Sequence, residues 1–190
     1  IKSSAASDVY KRQTYEGKEY TPQSFAESLD LNLDDYVELT SYQIYPFYEE
    51  VELTIPDNWM HARYYNLPID ELMEVMNNAL KNGYTVCWDG DVSHNGFSHP
   101  SGLAILPTNN PEEMINAEID KWTTLSAQDR ERKMQSFESP VPEMKVDDNK
   151  RQFTFNNRQT TDDHLMHITG MLKDQNGTIY YKTKNSWGED

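Results

Sequence analysis

The chain has 190 residues, 32 of them acidic and 17 basic, for a formal net charge of −15. That balance argues against a basic grip on nucleic acid and against docking on anionic lipid. No apolar run approaches the roughly 20 residues of a membrane helix, and one cysteine, Cys87, excludes an internal disulfide and a multi-cysteine zinc site.

The length fits one domain or a large part of one. Ile1–Gln13 lacks an initiator Met and any helical or strand period. "SSAASDVYKRQ" resembles translated sequencing-adapter read-through, so residues 1–13 are set aside from fold reasoning. The other end stops at Glu189-Asp190, directly after Gly188, and the expectation is a domain over 14–190 truncated at both ends. Thr21-Pro22 predicts a helix start, with Thr21 as N-cap. Tyr36–Ser41 is a short β-prone run, and the Tyr- and Pro-rich stretch after it reads as irregular. Leu72, Val75, Met76, Ala79 and Leu80 recur at helical spacing, Gly83 is placed to end that helix, and Tyr84–Trp88 reads as a strand. "NPEEMINAEIDKW" is expected to be a helix opening at Pro111. A second helix is expected in "SAQDRERKMQSFES", where Ser126 and Asp129 form a capping-box-like pair. "PVPEMKVDDNK" reads as turn and linker. Two β-prone runs then flank Asp174-Gln175-Asn176-Gly177, a strong hairpin signal.

The last hairpin carries the chemistry. A thiol peptidase needs a sulfur nucleophile, an imidazole that takes and returns its proton, and a group that orients the imidazole. An Asn oxygen can accept the imidazole N–H and fix its tautomer, and an indole beside that bond keeps water off it. His at the start of one strand, Asn at the end of the next and Trp two residues later suit a hairpin. His164 and His167 differ by three, so along a strand they face opposite sides, and only one can look at Asn185.

"DHLMHITGMLKDQNGTIYYKTKNSWG" resembles the catalytic His–Asn hairpin of papain-like cysteine peptidases. Within them it looks most like the bleomycin hydrolase / aminopeptidase C family, with its His-Ala-Met-like segment, loop, and strand ending in Asn-Ser-Trp-Gly. "TPQSFAESLDLNLDDYVELTS" and "LPIDELMEVMNNALKNGYTVCWDGDVS" resemble two further segments of that family, so the likeness spans residues of about 20–190. It implies an α+β, papain-like fold, here the sheet-rich half with helical insertions. The half bearing the nucleophile helix would lie outside this chain. It selects His164 as general base and acid, with Asn185 orienting it and Trp187 shielding their bond. The implied activity is cysteine-type aminopeptidase action on peptides through an acyl-thioenzyme, without cofactor or metal. The family's hexameric particle and cytoplasmic location come with the same likeness.

Cys87-Trp88 matches the family's Cys-Trp pair in letters only. The family's nucleophile opens a long helix, whose N-terminal field favours thiolate, and a Gln upstream donates to the oxyanion. Cys87 instead ends a β-prone run, Asp89 and Asp91 follow it, and no Gln stands shortly before it. It is expected to be a small buried hydrophobe, with the nucleophile upstream of Thr14. Taken literally, this chain alone would be inactive. The alternative is a papain-like domain without activity that serves binding or structure. His94 and His99, five apart, lack a metal-ligand spacing, and Asp89 with Asp91 lacks a calcium loop.

Overall fold

The structure, a computed structural model, describes residues 11–188 apart from 111, 113 and 116–118. The expectations for the first ten residues and for Pro111 lie outside the described residues. The chain divides into two units, at Glu38/Leu39. In the first, β1 (Gln13–Tyr15) pairs antiparallel with β2 (Lys18–Tyr20), so the boundary expected after residue 13 falls inside this hairpin. Helix α1 (Pro22–Ser28) follows. Thr21 caps it in a reciprocal box with Ser24, and Pro22 needs no amide partner at the first position. Tyr15 and Tyr20 both meet the Phe25 ring edge-on.

The second unit holds two three-stranded sheets. In one, β3 (Leu39–Thr40) runs parallel to β5 (Arg63–Asn66), and β4 (Glu50–Glu52) runs antiparallel to it. Asn66 is its polar centre and is fully buried. Its amide accepts from the Tyr42 N–H at 2.8 Å and donates to the Tyr42 carbonyl at 2.9 Å, replacing a strand partner that the irregular Tyr42–Pro46 segment lacks. Tyr42, Val51 and Leu53 form the buried cluster beside it, with Phe155 against Tyr42 at 4.4 Å.

The other sheet carries the candidate site. β11 (His164–Lys173) lies between β12 (Ile179–Lys184) and β6 (Val86–Gly90), antiparallel to both. Burial alternates along β11: Met166 and Ile168 are buried, Leu165 and His167 exposed. His164 shares the parity of the buried residues. Helix α2 (Ile69–Lys81) packs on this sheet, and Tyr181 donates its hydroxyl proton to Asn77 Oδ1 at 2.8 Å. A bulge leaves Thr169 out of register with β12, and its hydroxyl donates instead to the Lys182 carbonyl at 3.2 Å. The hairpin tip is not a two-residue Asn-Gly turn. Five residues connect the strands, Asp174 Oδ1 accepts the amides of Asn176 and Thr178, and Gly177 alone takes a left-handed φ of 88°.

Several expected boundaries move for physical reasons. Tyr84 donates its N–H back to the Ala79 carbonyl and completes the end of α2, so β6 begins at Val86 and runs through Gly90. Of the helix expected from Pro111, the described residues show Ile119–Thr123 as helical, α3. Before it, β9 (Met114–Ile115) pairs with β10 (Glu143–Met144), a strand within the supposed linker. Ser126 caps α4 (Ala127–Ser136) as the sequence indicates. Asp147 caps α5 (Asp148–Asn156), a helix the sequence reading passed over. A short hairpin, β7 (Phe97–Ser98) and β8 (Leu103–Ala104), completes an α+β architecture. Among the described residues no helix is long and apolar enough to cross a membrane.

Candidate active site

His164 opens β11 opposite Gly90, and Asn185 follows the last residue of β12. Lys184 pairs with His167, so the next residue comes level with Met166 and diagonal to His164, within reach of a long side chain. His164 Nε2 and Asn185 Oδ1 are 2.8 Å apart. The amide orientation is fixed by a second contact: the Ser186 N–H also points at Asn185 Oδ1, at 2.7 Å. A flipped amide would set an NH2 against that N–H. Oδ1 is therefore the acceptor for both, and His164 carries its proton on Nε2. That leaves Nδ1 as the basic nitrogen. Asn185 Nδ2 is buried and has no hydrogen-bond partner among the described residues.

Trp187 packs against the imidazole of this pair. Its ring lies 4.6 Å from that of His164, tilted by 31°. Phe97 and His99, from the β7–β8 hairpin, meet the same indole edge-on at 5.9 and 5.3 Å. Neither was singled out for this role by the sequence, because the hairpin reaches the site from almost ninety residues upstream. The aromatic, turn-rich character of "GFSHPSG" was the available clue.

Carboxylates surround the start of β11: Asp162 and Asp163 precede His164, and Asp89 pairs with Leu165. Burial pushes the Asp89 carboxyl up, as do the charges of Asp163 and Asp57, against a downward pull from the Gly90 amide and His164. Asp162 is pushed up by burial and by Asp89. Asp163 accepts the Val92 N–H at 3.0 Å, so it serves the turn after β6.

The sequence candidates separate cleanly. His164, Asn185 and Trp187 come together. His167 pairs with Cys87 across the sheet, and both have the parity opposite to His164. Cys87 is exposed, not the buried hydrophobe expected, because the face it shares with Leu165 and His167 is open. His94 turns to Thr160 and Asp91, at 3.3 and 3.4 Å, while His99 turns to Trp187. Among the described residues no three His, Cys, Asp or Glu side chains are grouped to hold a metal ion. No protein-family model matches the chain, and no curated protein matches it.

Proposed function

We propose that the second unit is the base-bearing part of a papain-like cysteine peptidase, of the bleomycin hydrolase / aminopeptidase C kind. One observation carries this: an imidazole protonated on Nε2, held by Asn185 Oδ1 at 2.8 Å with the Trp187 ring packed against it, and Nδ1 left to act as base. Nδ1 takes the proton of a cysteine thiol, and the thiolate attacks the peptide carbonyl carbon. The imidazolium then returns the proton to the leaving amine, giving an acyl-thioenzyme and a free amine. In deacylation His164 takes a proton from a water that attacks the acyl carbon, the C–S bond breaks, and the imidazolium returns the proton to the departing thiolate, releasing the acid product. Asn185 keeps the ring in the useful tautomer throughout. The proposed reaction calls on no cofactor. The sulfur cannot be Cys87, whose side of the sheet is opposite to that of His164. It is proposed to come from sequence preceding Thr14. Peptide substrate and a hexameric particle accompany this proposal through the family likeness alone.

The test joins this chain to its native upstream coding sequence and follows hydrolysis of aminoacyl amides. His164→Ala should cost about 10²–10⁴-fold in kcat, Asn185→Ala about 10–100-fold, and Cys87→Ser nothing measurable. Activity that survives His164→Ala, or dies with Cys87→Ser, sinks the proposal. One observation favours a second reading: the chain's single cysteine lies on the wrong face. If the longer protein also offers no thiol and hydrolyses nothing, the domain is a binding or structural module.

A further inference from the structure

Trp187 lies beyond the end of β12, where no strand ladder holds it, and it is 46% exposed. Its position against the His164 ring therefore depends on side-chain neighbours. Two come from the same hairpin: Phe97 lies on β7 and His99 opens the turn that follows it, and their rings stand at 77° and 88° to the indole. His164 lies nearly parallel to it, at 31°. The His99 ring nitrogen Nε2 is buried with no hydrogen-bond partner among the described residues. Burying an unpaired polar nitrogen is unfavourable, so packing against the indole, not a hydrogen bond of Nε2, keeps the His99 ring in place. The hairpin presenting His99 is itself fixed. The Gly102 N–H donates to the His99 carbonyl at 2.9 Å, and the Ser101 N–H donates to Ser98 Oγ at 3.3 Å. At its base, a Cβ on Gly96 would fall 1.9 Å from the Ile105 carbonyl oxygen, so only glycine permits that approach.

We infer that His99 is a positioning residue that pins the Trp187 indole against the His164 ring. The inference rests on the proposal that His164 is the base. Its chemistry is aromatic: the flat ring wedges the indole, and a phenyl ring can replace it. Loss of the wedge frees Trp187 to swing outward and admits water to the Nε2 proton of His164.

The test needs no turnover. In the ¹⁵N-labelled chain, exchange of the His164 Nε2 proton with water is measured by NMR. His99→Ala should speed this exchange about tenfold, and His99→Phe should restore it to within about twofold. Trp187→Ala should speed it at least as much as His99→Ala. The backbone amides of Met166 and Ile168 should keep their rates in every variant. A ring-to-ring nuclear Overhauser effect between His99 and Trp187 is expected in the unaltered chain and does not depend on how any variant folds. The inference is overturned if that effect is missing, if His99→Ala leaves the imidazole rate unchanged, or if His99→Phe exchanges as fast as His99→Ala. It is equally overturned if the Met166 and Ile168 amides speed up in step, since that reports general loosening. A failed hydrolysis assay in the longer protein would remove the base role of His164 and move none of these rates.

Discussion

Asp91 shows how one residue ties the site's surroundings to pH. Its side chain is 3% accessible. Burial pushes its carboxyl up, but hydrogen bonds from Ser93 and from the Thr161 amide, with His94 nearby, outweigh burial and hold it below the ordinary carboxylate range. A folded value below the unfolded one means that the native state favours the ionised form. The stabilisation is complete above the unfolded value and is lost as the pH falls through the folded one. Asp89 and Asp162 are shifted upward, so they act in the opposite sense and in a window above the unfolded value, whereas that of Asp91 lies below it. Asp91→Asn should therefore flatten the acid limb of stability below about pH 4, followed as the urea midpoint against pH. An acid limb as steep as that of the unaltered chain would refute this. At this scale His164, Asn185 and Trp187 were legible in the sequence because one hairpin carries all three. The part played by His99 was not, because the tertiary fold brings it in from a separate segment.

At the scale of elements, α2 was legible from its apolar spacing, but its anchorage was not. Pro68 precedes the helix and offers no side-chain cap. The missing acceptor comes from another helix: Asp148 Oδ1, at the start of α5, takes the Ile69 N–H at 2.8 Å and the Ser41 hydroxyl at 3.4 Å. A carboxylate at a helix N-terminus satisfies a free amide and meets the favourable end of the helix dipole. Asp148→Ala should cost about 1–2 kcal/mol by urea unfolding, with Asp148→Asn recovering much of it. A loss below about 0.5 kcal/mol would mean that Asp148 does not cap α2 in solution. The two residues are 79 apart, so no local pattern could announce the pair. The same limit explains β9. Met114–Ile115 lies in a segment of helical composition and becomes strand only because Glu143–Met144 is there to pair with it.

For the whole molecule, charge was the most transparent property. At −15 the chain should repel a phosphate backbone at any ordinary ionic strength. Titrating it into labelled duplex DNA should give no binding at low or physiological salt, and an affinity that weakens as salt rises would contradict that expectation. The two faces of the β6–β11–β12 sheet have a practical use. The chain's one thiol, exposed on the side away from His164, is a unique attachment point. A maleimide dye on Cys87 would report the motions and unfolding of this sheet while leaving the His164 face vacant.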